Sequence, residues 1–165
     1  MDQVQQLGEM LKHYAQSEEH KKQQFEAQCS HWSVSINGLF ERIEQWLQPL
    51  RDAGLVELAR EPYLATSASF PAPVSPFASH KLVITLALRT VEFVPEAMGA
   101  KGQISLAVMG LTSDRYGSIS VVCTPPAEDW LWRKERGVKD PEVHPLTADF
   151  LALQLQALIP RQHRE

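Results

Sequence analysis

Lys81-Leu82-Val83-Ile84-Thr85-Leu86-Ala87-Leu88-Arg89 is the stretch on which the fold turns. Leu82, Ile84, Leu86 and Leu88 fall on one face, and Lys81, Val83, Thr85, Ala87 and Arg89 on the other. A period of two belongs to a β-strand with one face in a core. The same period returns downstream. Val91-Glu92-Phe93-Val94 continues or restarts the strand before Pro95. Ile104, Leu106 and Val108 then alternate, as do Ile119, Val121 and Cys123, before Pro125-Pro126 ends the run. Turn signals separate these pieces, Gly99-Ala100-Lys101-Gly102 and Thr112-Ser113-Asp114. Connections this short cannot carry a crossover, so an antiparallel meander is expected. Segment 129–136, with Trp130, Leu131 and Trp132, is a further strand or a short helix, and 137–145 reads as a polar connection. The expected count is about four or five strands.

Upstream, residues 55–64 suit a short strand ending before Pro62. Residues 65–79 (ATSASFPAPVSPFAS) follow, where Pro71, Pro73 and Pro76 exclude helix interior and central strand. An exposed, extended loop is expected there, anchored by Phe70, Val74 and Phe77.

The first third has another period. Val4, Leu7, Leu11, Tyr14, Glu18, Lys21, Phe25, Gln28 and Trp32 step by three and four, which keeps them on one helix face. A helix over residues 2–28 would be roughly 40 Å long. Glu18 and Lys21 interrupt the apolar stripe, and polar residues in a seam set register and oligomer state at a cost in stability. From Trp32 onward Ile36, Leu39, Phe40, Ile43, Trp46, Leu47 and Leu50 are denser and read as a core helix. Pro49 is expected to kink or end it near Gln48, and Gly54 to stop the chain in a left-handed turn. One bent helix and a helical hairpin both satisfy residues 2–53. At the far end, Thr147 is the expected N-cap of a helix over 148–159, with Asp149 in its first turn and Phe150, Leu151, Leu155, Leu158 and Ile159 as its apolar face.

The fold class this assigns is α+β: a long N-terminal helix or hairpin, an antiparallel meander, and a C-terminal helix packed on one sheet face. Residues 1–31 form a helical arm suited to a coiled coil, and 32–165 the globular domain. Helices 33–50 and 148–159 should cover the face of Leu82/Ile84/Leu86/Leu88, Ile104/Leu106/Val108 and Ile119/Val121/Cys123. The other face, with Thr85, Arg89, Gln103, Ser105, Ser118, Ser120 and Thr124, is expected to stay wet or to line a binding surface.

Composition narrows the function. The 165 residues carry a formal net charge of −4, which argues against generic nucleic-acid binding, since that needs a basic surface. The first residues lack the basic and apolar regions of a secretory signal, and no run of about 18 apolar residues suggests a membrane helix. A cytoplasmic protein with no membrane contact is expected. Cys29 and Cys123, far apart and in different elements, read as buried thiols of a reducing compartment, with a disulfide as the alternative.

No catalytic or cofactor motif rises above background in the sequence. His13 and His20, and Cys29 and His31, lack the second ligand pair that zinc requires. There is no G-x-S-x-G, and Cys123 sits among β-branched residues where a thiol packs rather than reacts. Gly99–Gly102 lacks phosphate-loop spacing. No catalytic residue, metal or cofactor is assigned. One cluster joins aromatics to cations: Trp130 and Trp132 with Arg133, Lys134, Arg136 and Lys139. Glu128, Asp129, Glu135, Asp140 and Glu142 interleave, so a core-anchored, solvated segment competes with a partner-binding one. Trp130, Trp132, Arg133 and Arg89 are the candidate partner-binding residues, and Val4, Leu7, Leu11, Tyr14 and Phe25 the candidate oligomerisation residues.

The function expected is a non-enzymatic protein that binds another protein and forms a homo-oligomer through its N-terminal helix, as an adaptor, a secretion-chaperone-like factor or a toxin-neutralising immunity-type protein. The alternative is a small-molecule-binding or enzymatic domain using the polar sheet face with Arg89, Tyr116, Ser118 and Ser120.

Overall fold

The computed structural model describes residues 2–65, 77–96, 103–111, 118–124 and 129–160. The chain opens with one helix, α1 (Gln3–Asp52), so a single rod carries both apolar patterns. Asp2 caps it, its carboxylate accepting from the Gln5 amide at 2.7 Å. Pro49 does not end the helix near Gln48 as expected. It removes one amide donor in the final turns, and the helix runs on to Asp52. Gly54 closes it at φ 75, where a Cβ would be strained. There the Gly54 amide donates to the Arg51 carbonyl at 3.0 Å and the Leu55 amide to that of Leu50 at 2.9 Å. These two bonds satisfy carbonyls that the helix end would otherwise leave open.

The chain divides into two units, Met1–Ser35 and Ile36–Glu165. In the first, every side chain from Asp2 to Gln24 is exposed apart from the intermediate Gly8, whereas Cys29 and Trp32 are buried. Two exposed ion pairs run along this rod, Glu9–Lys12 at 3.9 Å and Glu18–Lys21 at 3.5 Å. The second links the two charged residues of the stripe within their own helix.

In the second unit the strands are β1 (Glu57–Ala65), β2 (Phe77–Leu86), β3 (Arg89–Pro95), β4 (Ile104–Met109), β5 (Ile119–Cys123), β6 (Leu131–Arg136) and β7 (Lys139–Pro145). They form one antiparallel sheet in chain order, β1 to β7. The meander is as expected, but among the described residues it has seven strands rather than four or five. Two local events add strands, and a third lengthens one. The run 81–94 is two strands, because Ala87 (φ 50) and Leu88 (φ 62) make a tight hairpin turn between them. Pro62 does not stop β1, which continues to Ala65 opposite Phe77, so both ends of the expected loop belong to strands. Segment 137–145 is a strand and not a connection. The rest of that loop, 66–76, lies outside the described residues, as do the turns at 99–102 and 112–114.

The register sorts the faces, since directly opposed residues share one. Arg60, Leu82, Phe93, Val108 and Ile119 form one row, and Pro95, Leu106, Val121, Trp132 and His144 another. With Ile84, Val91, Ile104 and Cys123 they build the buried face. Ile36, Leu39, Phe40, Ile43 and Leu47 of α1 are also buried. Arg60 ties that part of the helix to β1 with two bonds to Glu44, at 2.6 and 3.2 Å, while its guanidinium lies 5.7 Å from the Phe40 ring centre. This shared fork holds the Arg60 pKa above its ordinary value. The C-terminal helix, α2 (Ala148–Gln156), starts on Thr147, whose hydroxyl accepts from the Phe150 amide at 3.1 Å. Phe150 meets Trp132 edge-on at 5.6 Å and His144 at 5.0 Å, which seats α2 on β6 and β7.

Two residues depart from the expected faces. Leu88 sits in the turn at 103% exposure instead of in the core. Arg89, opposite Leu86, falls in step with Val91 and Phe93 and not with Thr85, because the turn resets the alternation.

Candidate functional site

Three surfaces bear on function, and the helical rod comes first. Val4, Leu7, Leu11 and Tyr14 are 78, 55, 57 and 66% exposed, and Met10 beside them is 63% exposed. Their spacing aligns them along one side of α1. Phe25 lies further along the same register, its side chain outside the described residues. Water therefore meets a continuous apolar edge on a helix whose other faces are polar.

The second surface is the β6–β7 hairpin. Trp130 and Trp132 are buried, at 6 and 2% exposure, so in this conformation both indoles lie in the core and not on a contact surface. Arg133 stands on the opposite face and pairs with Glu135 at 2.9 Å, two residues along the same strand. Arg136 donates to the Asp140 carbonyl at 2.7 Å, and Lys134 lies opposite Glu142. His144 bonds Glu142 at 2.7 Å, and that hydrogen bond holds the Glu142 carboxyl below its usual range. Arg133, Lys134 and Arg136 thus have acidic or carbonyl neighbours, whereas Lys139 stands opposite Arg136. Arg89 is exposed at the start of β3, and β4 and β5 lie between it and the tryptophan strand.

The third surface is the sheet face away from the core. Thr85, Ser105 and Ser120 lie on it as expected, yet Val94, Val122 and the exposed Met109, Leu131 and Val143 share it. It is mixed rather than polar. Lys81 bridges Glu92 at 2.9 Å and Glu61 at 3.6 Å across three strands, and Glu92, first among these causes, raises the lysine pKa. Tyr116 is outside the described residues, and Arg89 is in step with the other face. The set Arg89, Tyr116, Ser118 and Ser120 is accordingly not assembled among the described residues.

Sequence reasoning missed the exposed hairpin tips, Leu88 and Val138 at 103 and 106%. A Gly137 followed by a lone valine was the signal for the second tip, whereas Ala87 and Leu88 continue the alternation and gave none. Among the described residues, no three His, Cys, Asp or Glu side chains gather as a metal ligand set, and no helix is long and apolar enough to cross a membrane. Comparison with protein families, with curated proteins and with solved structures returns no match.

Proposed function

We propose that this chain is a non-enzymatic protein–protein interaction protein that self-associates through α1, using Val4, Leu7, Leu11, Tyr14 and Phe25. Its role is that of an adaptor, a secretion-chaperone-like factor or a toxin-neutralising immunity-type protein, and its partner is another protein. The observation that carries the reading is the exposed apolar edge of Val4, Leu7, Leu11 and Tyr14. A second observation supports it: both outer strands of the sheet are protected, β1 by Pro62 and β7 by Pro141 and Pro145 amid charged residues. Sheet edges are thereby poor docking sites, which leaves the helix as the better one. We assign the setting to the cytoplasm, in keeping with two buried thiols.

The size of the effect sets the test. Fully burying a large apolar side chain is worth about 1.5–3 kcal/mol, so four partly exposed ones on each of two chains supply roughly 10 kcal/mol. Association costs about 4–15 kcal/mol, so the surplus is at most roughly 6 kcal/mol, which places the affinity no tighter than about tens of micromolar. Light scattering across a dilution series should therefore find a mass that rises with concentration, and a Leu7→Glu/Leu11→Glu chain should stay at the mass of one chain. A wild-type mass fixed at one chain throughout would end the proposal.

A further inference from the structure

This inference rests on the self-association just proposed and concerns its partner and direction. We propose that the partner is a second copy of the chain, paired antiparallel through residues 2–16, with Leu7 of each against Leu11 of the other and Val4 against Tyr14, an overlap that narrows the seam to these four and leaves Phe25 beyond it. The stripe has two kinds of seam position: Val4, Leu11 and Glu18 occupy one, and Leu7, Tyr14 and Lys21 the other. A parallel, in-register pair sets every residue against its own copy. Tyr14 then stacks on Tyr14 and Val4 on Val4, one bulky layer and one thin layer. A turn further on, Glu18 faces Glu18 and Lys21 faces Lys21, and like charges at that separation repel.

Reversing one helix sets the first kind against the second. All four layers are then apolar, and the small valine meets the large tyrosine, so the layers fill evenly. Glu18 and Lys21 lie beyond the overlap, where their 3.5 Å ion pair stays intact. The positions flanking the seam, Gln3, Gly8, Met10 and Ala15, bear no charge that would favour a parallel run. A parallel pair would also set the two positive helix N-termini side by side, which the reversed pair avoids. The edge is complementary to itself when inverted, which identifies its occupant as another copy.

Spin labels placed singly at Gln6→Cys and at Gln23→Cys read the arrangement, measured by dipolar coupling at a concentration where light scattering shows assembly. Both positions are exposed. Cys29 and Cys123 are buried, and burial together with Glu26 pushes the Cys29 thiol up, so the native thiols label slowly. At 1.5 Å per residue, the antiparallel pair separates the two Gln6 labels by about 9 Å along the axis and the two Gln23 labels by about 42 Å. Short distances from both labels would mean a parallel pair and overturn the proposal. A long Gln6 distance with a short Gln23 distance, or assembly without coupling at Gln6, would overturn it equally while leaving self-association standing. A one-chain mass at every concentration would remove self-association itself.

Discussion

The turn at Ala87-Leu88 holds two non-glycine residues at positive φ, where L side chains crowd the backbone. Its geometry is that of a two-residue hairpin loop, for which Asn-Gly is the preferred pair. The double substitution Ala87→Asn/Leu88→Gly is expected to stabilise the chain by about 1–2 kcal/mol, read as a higher denaturant midpoint at unchanged slope. Arg60 invites the opposite experiment. Its planar fork takes both oxygens of Glu44 while its guanidinium lies over the Phe40 ring. A lysine keeps the charge and loses the fork, so Arg60→Lys should cost about 1–2 kcal/mol, and chemical denaturation would detect it. A variant as stable as the parent would mean that the helix–strand tie is idle.

At the scale of elements, the outer strands differ from the inner ones in chemistry. Inner strands β3, β4 and β5 alternate between buried and half-buried positions, with burial patterns that a period of two makes plain. These were legible in the sequence, as was α2 with its Thr147 cap. β7 was not. Lys-Asp-Pro-Glu-Val-His-Pro carries two prolines and three charges, because an edge strand pairs on one side only and must discourage a second neighbour. The hairpin at Ala87-Leu88 was hidden for another reason, since neither residue announces a turn. The candidate site was legible in part: the apolar stripe of α1 could be read directly, whereas the fate of Trp130 and Trp132 depended on which face β6 turns inward. Proline at the edges should have a measurable role. With Pro62→Val and Pro141→Val combined, thermal melting is expected to move by only a few degrees while the rate of turbidity growth in concentrated solution rises. Unchanged turbidity would show that the neighbouring charges suffice.

For the molecule as a whole, the rod of residues 2–24 and the sheet unit make separate demands. The rod's side chains are exposed, so charging its apolar edge should not disturb the sheet core. Leu7→Glu/Leu11→Glu is accordingly expected to keep its near-ultraviolet circular dichroism, which reports buried tryptophans, and to shift stability by less than about 1 kcal/mol at concentrations where the parent is a single chain. A collapse of that signal would mean that the edge supports the fold itself.

Strand order carries one more consequence. Each strand of the meander pairs with the one made just before it, from β1 through β7. Every strand after β1 thus finds its neighbour already synthesised, and loop closure stays cheap at each step. On the ribosome the sheet can grow in the direction of translation, one hairpin at a time, with Trp132 arriving late and α2 sealing it last. A nascent chain halted before α2 would carry every strand pairing and lack only the lid over its final strands.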